Sequence, residues 1–383
     1  MNRLAALKIA LITVLVLLSF GYGLAVGRKQ YPPYATVHWA YEYFFESQTE
    51  RKYKNPQYTT VNPEFYKNDL DALITIRSEA DVVSKRKQLE DYIWPGRGFP
   101  QTEMPSEVNR DIQDEKCQNL AGLKRIDRVV VRMDYGLDSV MYHFIPEKNN
   151  QQLVIYHAGH FEDFRDASVV ISSLLSQGYA VLGVSMPLMG LNSRPFFDSD
   201  HNGRFLLVHH NQFLYLKDPI RFFIDPVVIA LNYVSKAVGY ESITMLGFSG
   251  GAWTTTMCAA LDPRIMRSYP VAGTLPFFLV DPRGWGDYEQ MIPDLYRVAN
   301  YLELYVLGSY GEDRKQMQVL NQFDECCYYG LGYQIYEQKV KSAVAALKKG
   351  SFEVLLDTTH HEHKLSDYSL KMIIHDLGRQ RSL

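Results

Sequence analysis

The stretch ITMLGFSGGAWTTTMCAAL, residues 243–261, decides how this chain is read. Its first residues form an apolar, partly β-branched run of strand length. Gly247-Phe248-Ser249-Gly250-Gly251 follows, then a run of small and apolar residues suited to a closely packed helix. A serine on a sharp strand-to-helix turn needs neighbours without bulk, because side chains two positions away would collide. Gly247, Gly250 and Gly251 meet that demand. The turn would present the Ser249 hydroxyl at the carboxyl ends of the strands. The helix N-terminus behind it would favour developing negative charge. A five-residue match alone says little; the order strand, turn, helix gives it weight.

Working outward, the chain from residue 128 alternates short β-branched and aromatic runs with helical segments. RVVVRMDY and SVMYHFIP, joined through Gly136-Leu137-Asp138, read as an opening hairpin, and residues 153–157 (LVIYH) as a buried strand. Helices over about 166–177 and 218–237 alternate with strands at 179–184 and 242–246. Further strands are expected at 268–272, 316–321 and 352–356, with helices at 336–349 and 366–377. Such alternation predicts crossover units feeding a mostly parallel central sheet, an α/β fold with helices on both faces.

Upstream the character differs. Residues 30–125 carry Pro- and Tyr-rich segments (YPPY, NPQYTTVNPEFY, WPGRGFP) with little period-two alternation. Residues 70–94 show helical spacing that Pro95-Gly96 would end. Residues 29–125 therefore read as a helical N-terminal extension, and 126–383 as the main domain. Residues 9–26 (IALITVLVLLSFGYGLAV) are uncharged, follow Arg3 and Lys8 and stop at Arg28-Lys29. As a helix these eighteen residues would span about 27 Å, close to the thickness of a bilayer's hydrocarbon core. Residues 1–28 are expected to be a signal-anchor that tethers an exported domain to a membrane. Gly23-Leu24-Ala25 offers a cleavage site, in which case the protein would be secreted; a buried N-terminal helix is the third reading.

The strand–elbow–helix sequence resembles that of the α/β-hydrolase superfamily, over about residues 126–383. The resemblance implies a Ser-His-Asp or Ser-His-Glu triad, in the chain order Ser, acid, His. For the acid, QFDECC follows the strand at 316–321, which places Asp324 on the rim that carries Ser249. Glu312 and Asp313 precede that strand and would fall on the opposite rim. For the base, residues 357–366 (DTTHHEHKLS) hold three histidines. His363, three residues before the expected N-cap Ser366, is preferred; His360 is the rival, and His361 is expected to point away. A zinc site from His360, Glu362 and His363 is the competing reading of this segment, but three donors so close on one loop poorly suit tetrahedral geometry. The resemblance also implies an oxyanion hole, whose donors would be the backbone N–H groups of Gly250 and of the loop His157-Ala158-Gly159-His160, with His160 favoured. Residues 186–193 resemble a family loop that lines the cleft. The aromatic segments 191–216 and 275–313 are candidate lid insertions.

The bulk composition limits the functions to consider. A net charge of −3 without a basic run gives no footprint for nucleic acid. Cys117, Cys258, Cys326 and Cys327 match no zinc spacing. Cys326 and Cys327 would be strained if joined to each other, so buried thiols are expected, with a bridge from Cys117 as the alternative. The reading is a serine hydrolase acting on a carboxylic ester, its substrate a small molecule or acylated compound, with no cofactor and no metal. The competing readings are an acyltransferase with the same triad and a membrane-tethered binding protein on a hydrolase fold.

Overall fold

Five parallel pairings and three antiparallel ones join the nine strands of the central sheet. The structure is a computed structural model that describes residues 13–23, 53–200, 202–280 and 286–379. These divide between two compact units, residues 1–59 and residues 60–383. In the first, residues 13–23 are helical and Pro56–Thr59 forms one helical turn. Among the described residues no helix is long and apolar enough to cross a membrane. The described helix covers only part of the expected anchor, whose residues 9–12 and 24–26 lie outside the described residues.

In the second unit the strands are β1 (Glu107–Asn109), β2 (Leu123–Val131), β3 (Ser139–Pro146), β4 (Gln152–His157) and β5 (Ala180–Val184). A separate hairpin, β6 (Phe196–Ser199) and β7 (Gly203–Leu206), precedes β8 (Ser242–Phe248), β9 (Ile265–Val271), β10 (Lys315–Asn321) and β11 (Ser351–Asp357). The order across the sheet is β1-β2-β3-β5-β4-β8-β9-β10-β11. Parallel neighbours need crossovers, and helices supply them. The helices are α1 (Glu79–Ile93), α2 (Ser168–Ser176), α3 (Arg221–Ala237), α4 (Gly250–Leu261), α5 (Tyr301–Ser309), α6 (Tyr333–Ala346) and α7 (Asp367–Arg379), with α1 preceding the sheet and α7 following its last strand.

Alternation along the strands feeds two cores. In β4, Leu153 and Ile155 join the core shared with α1, α3, α4, α5 and α6, while Val154 and Tyr156 join the one shared with α2 and α7. Helices therefore cover both faces, as the strand–helix alternation predicted.

Several local expectations are corrected. The helical spacing of 70–94 is not one helix: Leu70–Leu73 and α1 are separate, because Ser78 caps α1 through Asp81 in a capping box. The intervening Ile74 and Ile76 are buried in the core. Short β1 lies where only extension was expected, paired antiparallel to β2. The lid reading of 275–313 does not extend to α5, which is buried throughout because it forms the crossover between parallel β9 and β10. Arg86 on α1 donates to the carbonyls of Ala260 and Leu307, satisfying acceptors near the ends of α4 and α5. Cys326 and Cys327 are joined to each other, and Cys117 and Cys258 are free and buried.

Candidate active site

Strand β8 runs straight into α4 through Ser249, whose backbone sits at φ 54° and ψ −121°. That conformation costs a non-glycine residue about 1–3 kcal/mol and persists only where surroundings enforce it. Here the Ser249 N–H donates to the Val271 carbonyl, and the elbow is wedged between its neighbours. A β-carbon at Gly247 would lie 2.1 Å from the Gly251 carbonyl oxygen, and one at Gly251 would lie 2.2 Å from that of His157. Both positions exclude a side chain. Gly250 opens α4, so its N–H has no intrahelical acceptor.

The structure brings Ser249, His363 and Asp324 together. The Ser249 hydroxyl donates to His363 Nε2 across 2.9 Å, and His363 Nδ1–H donates to Asp324 Oδ2 across 2.6 Å. The tautomer follows from these two partners. Phe248 packs against the imidazole, with ring centroids 4.8 Å apart. Asp324 is fully buried, and its other oxygen accepts the N–H groups of Cys326 and Cys327, at 2.8 and 3.3 Å. A buried carboxylate that accepts three hydrogen bonds through its two oxygens keeps one orientation, and with it the ring of His363.

His360 is elsewhere. Its Nε2 lies 3.5 Å from Asp357 Oδ2, and neither ring nitrogen has a hydrogen-bond partner. His361 is half-exposed near Glu325. Glu362 pairs with Lys364, so among the described residues His360, Glu362 and His363 do not gather as a metal site. Glu312 and Asp313 precede β10, on the opposite rim from Ser249.

Two residues that drew no attention in the sequence hold the histidine loop. Asp357, at the end of β11, accepts from Thr359, Ser366 and Ser369, tying both ends of the loop together. Burial would raise its pKa, but these hydrogen bonds hold the carboxyl below the usual range. Asn321, at the end of β10, donates to the Lys364 carbonyl. The signal for Asp357 was its place at a strand end before a run of hydroxyl residues.

The loop after β4 presses on the elbow: a β-carbon at Gly159 would stand 2.9 Å from Ser249 Cβ. The Gly159 N–H donates to Glu162 Oε2 at 2.8 Å. Burial pushes the Glu162 carboxyl up, opposed by that N–H and by His363. The side chain of His160 lies over Gly250 and reaches Glu289 Oε1 at 2.8 Å and Asp287 Oδ2 at 3.0 Å. Burial works to lower its pKa, but those two carboxylates outweigh it and hold the ring at about 9. Residues 186–193 are largely interior: Met186, Leu188 and Met189 are buried. Asn192 pins the segment by donating to the Ser185 and Met186 carbonyls and accepting from the Val140 N–H.

Among the described residues, two groups gather three or more possible metal donors. In the first, Cys326, Cys327 and His363, the cysteines are joined and offer no thiolate. The second is His160, His210, Asp287 and Glu289.

No protein-family model matches the chain, and neither does any curated protein. Solved structures do. An acetyl xylan esterase from Paenibacillus sp. R4 aligns with TM-score 0.53 and 17% identity, over 82% of this chain and 97% of that one. Acetyl xylan esterase 1 from Thermoanaerobacterium sp. JW/SL YS485 aligns with TM-score 0.51 and 13% identity, over 84% and 98%. Methylesterase BT1017 aligns with TM-score 0.54 and 14% identity, over 80% of this chain and 65% of that one. At such identities the likeness is one of backbone architecture, and it agrees with the strand order and the elbow: in fold, the chain is an α/β-hydrolase.

Proposed function

We propose that this chain is a serine hydrolase that cleaves a carboxylic ester through an acyl-enzyme. The observation that carries the reading is the unbroken hydrogen-bond chain from Ser249 through His363 to buried Asp324. Ser249 Oγ attacks the ester carbonyl while His363 Nε2 takes its proton. Asp324 keeps the proton-bearing Nδ1 turned away from the serine and stabilises the imidazolium. The oxyanion forms against the N–H of Gly250 and that of His160, in the mouth between elbow and β4 loop. The protonated His363 then releases the alcohol, and water deacylates the enzyme by the same proton relay. That solved neighbours are named as esterases supports an ester over other acyl compounds.

The test is direct. A fluorophosphonate probe should label the wild-type protein at Ser249 and leave Ser249→Ala unlabelled, and the wild type should release p-nitrophenol from a short-chain ester. Labelling that persists in Ser249→Ala would overturn the assignment. From composition alone, residues 9–26 are further proposed to tether an exported catalytic domain to the membrane. Recovery of the full chain in the soluble fraction without detergent, its N-terminus intact, would refute the tether.

A further inference from the structure

Four side chains from three separate segments converge beside the elbow, and the ester-hydrolase reading uses none of them. His160 comes from the loop after β4, His210 from the start of the short helix His210–Tyr215, and Asp287 and Glu289 from either side of Tyr288. One donor atom from each lies within 4.8 Å of all the others. We propose that these four residues form a closed structural site for a divalent zinc ion.

Distance is the first argument. Four donors held about 2.0–2.2 Å from a tetrahedral ion stand about 3.3–3.6 Å from one another. The four imidazole–carboxylate separations are 2.8 and 3.0 Å from His160, and 3.3 and 3.8 Å from His210. They bracket that edge length, and all four donor atoms lie within 4.8 Å of one another.

Hydrogen bonding is the second. His210 Nε2–H donates to the Pro187 carbonyl at 2.9 Å, which turns Nδ1 toward Glu289 and Asp287. Nδ1 is hydrogen-bonded to Glu289 Oε1 across 3.3 Å, a contact that an ion would replace. Outward donation to a backbone carbonyl is also how a metal-bound imidazole is characteristically held. Glu289 is fully buried, and its Oε2 has no hydrogen-bond partner. An ion that Glu289 held through both oxygens would remove that deficit.

Charge and donor type are the third. Once the ion takes the place of the His160 proton, two imidazoles and two carboxylates balance a double positive charge, with the His210 and Glu289 side chains having no exposure. Two nitrogens and two oxygens suit zinc. Four protein ligands leave no position for a reacting water, so the ion joins segments and does not act as a Lewis acid. It would staple both insertions to the loop whose His160 lies over Gly250.

This inference does not depend on ester hydrolysis, because metal content is read without substrate. The purified full chain, stripped with a chelator and titrated with zinc chloride, should retain about one zinc per chain through desalting, measured by plasma mass spectrometry. Zinc-edge absorption on the wild type should fit two imidazoles and two carboxylates, with no sulfur. Loss of even an outer partner of a metal ligand costs about 10–100-fold in affinity, so His210→Ala and Asp287→Asn should each bind zinc at least about a hundredfold more weakly. Asp287 is partly exposed, so its replacement serves if His210→Ala does not fold. A wild-type chain that retains no zinc, a zinc shell containing sulfur, or wild-type affinity in Asp287→Asn would each overturn the proposal.

Discussion

The imidazole of His160 occupies the space that a β-carbon on Gly250 would need, its Cε1 only 2.5 Å from that position. The elbow and the β4 loop are thus fitted to each other through a ring and a missing side chain. Gly250→Ala leaves the helical backbone unstrained but pushes the ring away. Displacements of about 1 Å at such a site cost about 100-fold in rate. The expected outcome is a fall of that order in kcat for p-nitrophenyl acetate, with a smaller change in KM.

Asp324→Asn should lower kcat about 10⁴-fold with little loss of stability, because the amide holds the wrong imidazole tautomer. Fluorophosphonate labelling should be lost in His363→Ala and kept in His360→Ala, whose ring meets Asp357 and not the serine. Labelling that vanished only in His360→Ala would move the base there.

Acid should weaken the fold through His143. Burial holds this ring at about 4, against opposing help from Asp127, and its Nε2 meets the Tyr240 hydroxyl at 2.7 Å. The folded pKa is below that of the unfolded chain, so the stabilisation is present above about 6.5 and is lost as pH falls toward 4. A shift of this size corresponds to about 3 kcal/mol. Urea unfolding at pH 7 and 4.5 should show a loss smaller by about 2–3 kcal/mol in His143→Gln, which does not titrate.

Glu303 fastens residues 73–85 to the main core. It accepts from the Thr75 N–H and pairs with Lys85 at 3.2 Å, both side chains largely buried. Glu303→Ala strands the lysine and should destabilise the protein by about 3 kcal/mol in denaturant titration.

What the sequence disclosed followed the range of the interactions involved. The elbow was legible because its glycines answer to steric demands inside five residues. Asp324 and His363 were legible because each follows a strand end, and Ser366 does accept the Ser369 N–H as a cap. The break at residues 74–78 was present in the pattern Ser78-x-x-Asp81 but was masked by helical spacing on both sides. Three-residue β1 is too short for alternation to show. The Cys326–Cys327 bond went against its expected strain. The cluster at His160 was hidden for a different reason: its members lie 50 and 77 residues apart in sequence, on segments with no periodic pattern, and only tertiary folding makes them neighbours.

In the sheet, His157 of β4 and Gly247 of β8 are register partners, so the two backbones leave the rim at the same height. For anyone recombining this chain with another of the same fold, that fixes which parts can be exchanged. The serine, the β4 loop and Asp324 each follow a strand of the sheet and would survive replacement of residues 191–216 or 275–300. The partners of His160 would not, since His210, Asp287 and Glu289 all reside in those segments. A chimera that keeps the strands must therefore bring its own counterparts to those three side chains, or accept an unpartnered imidazole against its nucleophile helix.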